Sequence, residues 1–288
     1  MSATRSFTLP DSRAVSYKLE SGPENAPIVV LANSLTSNFE SWDHVVEKLA
    51  ANGLRALRWD QPGHGRSSAP ADLSSTTFDS IADDVAALLK HLGLSAVHAW
   101  VGVSMGAAAG VVFVNRHPGI VNKLVVCDTI AQSPVNAGTE DLFSARVSAA
   151  RTDGTMDNIC EGTLERWFGK EWIAANPHEA ARMRALMRTT SLDGFETCCA
   201  ALRSKTFDLY PLLEKVAAGC NDVLLIVGEK DADLPTQMQK MRSGIEQGFR
   251  AAGKSNSIRL EVIKNAGHVC YIDGLEQFNS LVVPFLKQ

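Results

Sequence analysis

Residues Ala96-Val97-His98-Ala99-Trp100-Val101 lead into Gly102-Val103-Ser104-Met105-Gly106, and Ala107-Ala108-Ala109-Gly110-Val111-Val112-Phe113-Val114 follows. The first run is short and apolar, as a buried strand is. The last can wind as a buried helix. A serine on the turn between such elements belongs to neither, so its hydroxyl is expected to stand exposed, and the two glycines keep Cβ atoms out of a tight turn. The five-residue pattern is weak by its letters and takes its meaning from the strand before it and the helix after it. The alternative is a glycine-rich turn with a solvated serine.

The same alternation runs outward in both directions. Strand-like runs cover 14–19, 27–32, 54–59, 96–101 and 123–127, with helical patterns at 42–51, 78–92 and 105–115 between them. Ile81, Val85, Leu88, Leu89 and Leu92 have helical spacing, and Gly93 is a plausible stop. From Ser133 to Cys220 no convincing strand occurs. That stretch reads as helices, including 164–168, 179–189, 192–201 and 210–217. Strands resume at 223–227 and 258–263, with helices at 237–252 and 275–286. Apolar strands alternating with helices imply a buried parallel sheet. The expected architecture is α/β, a mostly parallel sheet flanked by helices. Its core is 1–132 and 221–288, and 133–220 is an inserted helical cap.

Composition narrows the function. The chain has 288 residues, 45% apolar and 21% charged, with net charge −4. No basic stripe offers a footprint for nucleic acid, and no apolar stretch reaches membrane-spanning length. The polar N-terminus lacks a secretory h-region. Cys127, Cys160, Cys198, Cys199, Cys220 and Cys270 show neither a C-x-x-C pair nor zinc spacing, and read as free buried thiols in a reducing compartment. A cytoplasmic protein acting on a small molecule is expected, with no metal or organic cofactor implied.

In open α/β sheets ligands bind beyond the carboxyl ends of strands. Ser104 comes three residues after Val101, Asp231 four after Val227 and His268 five after Ile263. The order Ser104, Asp231, His268 is that of an α/β-hydrolase catalytic triad. A serine hydroxyl needs a base within hydrogen-bond reach. Histidine suits by its pKa, and an aspartate would hold the right tautomer and stabilise the imidazolium. His64 is the rival base. Asp233 and Asp128 are rival acids. His44, His91 and His178 read as surface, His98 as structural and His117 as a helix end. The oxyanion hole is expected from the N–H groups of Met105 and Leu35, the latter in the loop Asn33-Ser34-Leu35-Thr36-Ser37.

Leu31-Ala32-Asn33-Ser34-Leu35 with Trp42-Asp43 resembles the oxyanion loop of 3-oxoadipate enol-lactonases. Arg58 to Ser67 resembles a loop common to the α/β-hydrolase superfamily. Leu164-Glu165-Arg166-Trp167-Phe168, Cys198 to Arg203, and Ala266-Gly267-His268 with Leu275 to Asn279 resemble further enol-lactonase segments. The chain departs from that pattern at Thr36, where glycine is expected, in the longer stretch 237–257, and over 133–158, which matches nothing in it.

The resemblance implies hydrolysis of a small lactone or carboxylic ester through an acyl-enzyme. It also implies a substrate carboxylate met by a cap cation, for which Arg203, Arg188 and Arg184 are candidates, with solvated helix-surface charge as the alternative. Ser34, Trp167, Phe168 and Trp172 are candidate substrate contacts, the three aromatics reading equally as cap core. Rival activities with the same triad are a carboxylesterase, a lactonase of secondary metabolism and a hydrolase of carbon–carbon bonds. A non-hydrolytic ligand-binding or rearrangement member of the fold is a further alternative. Dehalogenases and epoxide hydrolases of this fold use an Asp nucleophile, which Ser104 argues against.

Overall fold

Strands whose side chains alternate between two buried faces organise the molecule. The computed structural model describes residues 3–255 and 257–288. Met1, Ser2 and Asn256 lie outside the described residues, and with them the first positions of the expected 1–132 segment and one position of the long stretch 237–257. The strands are β1 (Arg5–Thr8), β2 (Ala14–Leu19), β3 (Ile28–Ala32), β4 (Arg55–Trp59), β5 (Val97–Val103), β6 (Val121–Cys127), β7 (Asp222–Gly228) and β8 (Arg259–Ile263). They form one sheet in the order β1-β2-β4-β3-β5-β6-β7-β8. β2 pairs antiparallel with both β1 and β4, and all other pairs are parallel. β1 is the strand the sequence pattern missed. It lies at the sheet edge, three of its four residues exposed, so it carries no apolar signal.

The helices are α1 (Asp43–Ala51), α2 (Phe78–His91), α3 (Met105–Arg116), α4 (Pro134–Ala137), α5 (Leu142–Asp153), α6 (Asp157–Ala175), α7 (Pro177–Met187), α8 (Leu192–Arg203), α9 (Tyr210–Leu213), α10 (Val216–Gly219), α11 (Leu234–Ala251), α12 (Cys270–Asp273) and α13 (Leu275–Lys287). Successive strand residues face opposite sides. Val30, Trp100 and Leu124 share a core with Val85 of α2, Phe113 of α3 and Ile245 of α11. Val29, Leu31, Val101 and Val125 share the other with Val45 of α1 and Val282 of α13. Burying each such side chain contributes about 1.5–3 kcal/mol. α2 begins where Thr77 and Ser80 cap it reciprocally, which satisfies two orphan backbone donors.

Seven helices, α4 to α10, stand between β6 and β7. Leu202 of α8 joins the first core, while Leu164, Trp167 and Phe195 join the second. α6 is not continuous. Gly169 takes φ 75° and ψ 155° inside it, a region open to glycine almost alone.

Candidate active site

Ser104 occupies the turn from β5 to α3 with φ 53° and ψ −120°. A non-glycine residue there is strained, as functional turns often are. The surroundings hold it: Ser104 N–H donates to the Cys127 carbonyl at 2.8 Å. A Cβ on Gly102 would fall 2.3 Å from the Gly106 carbonyl oxygen, and one on Gly106 2.3 Å from that of Ala32. Both glycines are therefore required by close backbone approach. Met105 opens α3, so its N–H is among those a helix leaves without an internal acceptor.

The loop after β3 is fixed at several points. Asn33 donates from Nδ2 to the Trp59 carbonyl and accepts from Trp42 Nε1, and Gln61 donates to the Asn33 carbonyl. Thr36 has φ 66°, the left-handed conformation in which glycine is at ease. Its N–H donates to His64 Nε2 at 3.0 Å. His64 in turn donates from Nδ1 to the Pro62 carbonyl at 2.9 Å. This rival base is thus buried and engaged through both ring nitrogens, and burial pushes its pKa down to about 4. It braces the loop and does not face the serine's cavity.

His268 and Asp231 come from the turns after β8 and β7. His268 Nδ1 lies 2.7 Å from Asp231 Oδ2, with side chains 16% and 12% exposed. The two turns are tied together, since Lys230 N–H donates to the Ala266 carbonyl and Glu229 N–H to that of Ile263. The rival acids have other partners, although Asp233 also lines the cavity that holds His268. Asp233 accepts from Gln237. Asp128 accepts from Gly228 N–H at 2.7 Å, and burial pushes its carboxyl well above the usual carboxylate range.

One cavity of about 330 Å³ gathers Ser34, Leu35, Ser104, Met105, Trp167, Asp231 and His268. The Trp167 ring stacks near His268, centroids 5.8 Å apart. The other expected contacts are not in its wall. Phe168 and Trp172 stack on each other at 4.3 Å and belong with the second core, so they are cap core. Arg203 pairs with Asp141, Arg184 with Glu161 and Arg188 with Asp157. These three are surface ion pairs, corrected from candidate substrate contacts.

Two arginines that the sequence did not single out line the cavity instead: Arg146 of α5 and Arg166 of α6. Of the arginines on α5 to α8, Arg151, Arg182, Arg184, Arg188 and Arg203 hold carboxylates. Arg146 and Arg166 have no carboxylate partner among the described residues. Arg146 lies over the Phe143 ring at 5.7 Å. Arg166 keeps solvent exposure while lining the cavity. Desolvation, with repulsion from Arg146 and against the attraction of Asp231, pushes its pKa down to about 10. Helical spacing held a signal for it: Thr163, Arg166 and Trp167 share a face, and Trp167 was already a candidate. Arg146 lies in 133–158, a stretch that carries no recognisable motif.

Leu142, Phe143 and Arg146 also line a neighbouring groove of about 460 Å³, together with Tyr210 and Gln237. Leu142 and Tyr210 are exposed there at 49% and 38%. Among the described residues no helix is long and apolar enough to cross a membrane.

Comparison with known proteins agrees with this architecture. The chain is 28% identical to 3-oxoadipate enol-lactonase 1 of Acinetobacter baylyi, over 92% of this chain and 91% of that one. It is 27% identical to 3-oxoadipate enol-lactonase 2 of the same organism, over 93% and 91%. The solved enol-lactonase of Burkholderia xenovorans LB400 superposes with a TM-score of 0.84 at 26% identity, covering 99% of this chain and all of that one. A family model for the alpha/beta hydrolase fold matches residues 27–275, and the chain belongs to that family.

Proposed function

We propose that this protein is a serine hydrolase that opens a small carboxylate-bearing lactone or ester through an acyl-enzyme, with 3-oxoadipate enol-lactone as the leading substrate. The observation that carries the reading is the Asp231–His268 contact of 2.7 Å in a cavity shared with Ser104. Ser104 attacks the carbonyl while His268 takes its proton. Asp231 fixes the imidazole tautomer and stabilises its cation. The N–H groups of Leu35 and Met105 receive the oxyanion. His268 then protonates the leaving enolate, which becomes a ketone, and activates water to release the acid. Arg146 and Arg166 take the substrate's free carboxylate, the counter-charge they lack among the described residues. The enol-lactonase names of the relatives support the lactone. Six buried free cysteines fit a reducing, cytoplasmic setting.

The groove beyond Arg146 favours one second reading, a carboxylesterase for longer esters. Purified protein is expected to hydrolyse 3-oxoadipate enol-lactone, and Ser104→Ala to lower kcat by about 10⁴-fold or more. Failure on the lactone with Ser104-dependent cleavage of para-nitrophenyl esters would leave the second reading. Unchanged turnover in Ser104→Ala would remove both.

A further inference from the structure

The break in α6 has a consequence for the base. In an unbroken helix the Trp167 carbonyl would accept from the N–H four residues on. Gly169 leaves helical geometry two residues after it, and the Trp167 carbonyl accepts from His268 N–H at 3.2 Å. The fit is close: a Cβ on Gly267 would lie 1.9 Å from that same oxygen. The Trp167 ring stacks near the His268 ring, and the Phe168–Trp172 stack spans the break. Residue 167 therefore meets His268 through both its backbone and its side chain. The preceding residue is Arg166, a cavity arginine without a carboxylate partner among the described residues.

We propose that Trp167 is a positioning residue for His268, and that an anion seated on Arg166 draws this segment of α6 onto the histidine, so that the substrate's remote charge raises kcat as well as binding. This inference rests on the anion-binding reading of Arg146 and Arg166. The hydrogen bond from His268 N–H to the Trp167 carbonyl, at 3.2 Å, is the backbone link through which a shift of α6 reaches the histidine. Binding energy from a distant group is then used where the bond is broken.

Two esters that differ only in that charge separate the effects: the para-nitrophenyl ester of adipic acid with its free carboxylate, and its methyl-capped neutral twin. The charged ester is expected to show a kcat about tenfold higher as well as a lower KM. A difference confined to KM overturns the coupling but leaves the hydrolase and the anion site standing. Gly169→Ala should bring the kcat ratio toward one while the KM ratio persists. A ratio that survives in a folded variant, or an equal fall for both esters, also overturns it. A measurement on the unaltered protein needs neither ester nor variant. Adipate should slow amide hydrogen exchange at His268 by about tenfold, and an unchanged rate sinks the proposal. Should neither ester be cleaved in a Ser104-dependent way, the hydrolase reading falls and the exchange experiment still decides the coupling.

Discussion

At the scale of single residues, His64 shows how one side chain can be read for the wrong task. Its place on a loop after β4 made it a rival base, but both nitrogens are spent on Thr36 and Pro62. It is held neutral, with a folded pKa of about 4 against an ordinary 6.5. A histidine depressed in this way binds fewer protons folded than unfolded. Its contribution is complete above about pH 6.5 and drains away as pH falls through 4, for a total of roughly 3 kcal/mol. His64→Gln cannot titrate. The stability gap between wild type and His64→Gln should narrow from pH 7 to pH 4 in denaturant melts, and a gap constant over that range would disprove the assignment. Comparing the two proteins cancels the opposite contribution of buried Asp60, whose carboxyl burial pushes up to about 7. The neighbouring departure at Thr36 has a backbone meaning: the position does have a positive φ, and threonine accepts the strain because His64 holds its N–H.

At the scale of elements, the packing of α3 on β3 sets the distance between the two candidate oxyanion donors. Gly106 is the contact point, its missing Cβ leaving space for the Ala32 carbonyl. Gly106→Ala must push α3 outward, carrying Met105 N–H away from Leu35. We expect about 1–3 kcal/mol of lost stability and a fall in kcat of about 10²-fold, read from a thermal melt and steady-state kinetics. Full activity in a folded Gly106→Ala would mean that Met105 N–H is not a donor. Both glycines were legible as letters, but the carbonyls they accommodate belong to other elements. The stretch 133–158 read as helical only as part of 133–220, and α5 was not placed within it, because its apolar residues are dispersed and only Ala150 is fully buried. Yet α5 supplies Phe143 and Arg146 to the cavity wall.

At the scale of the whole molecule, the inserted helices share both hydrophobic cores with the sheet. Phe195 of α8 is 2% exposed and packs in the same core as Val101 and Val125. Core and insertion are therefore expected to unfold together. Phe195→Ala should cost about 3–5 kcal/mol and move a single calorimetric transition to lower temperature. Two resolved transitions, with only one displaced, would show the insertion to be an independent unit.

Local pattern determined the strand and helix alternation, the turn bearing Ser104 and the chain order of Asp231 and His268. Each of these depends on residues close in sequence, through periodicity and turn chemistry that a chain writes in its own letters. Tertiary structure decided which charges are free. Arg203, Arg184 and Arg188 look no different from Arg146 and Arg166 as letters. Three meet carboxylates brought up from other helices, and two are left facing the serine's cavity. Whether a guanidinium is neutralised at the surface or held open for a ligand depends on which acid the fold brings within about 4 Å of it, and no local pattern carries that distance.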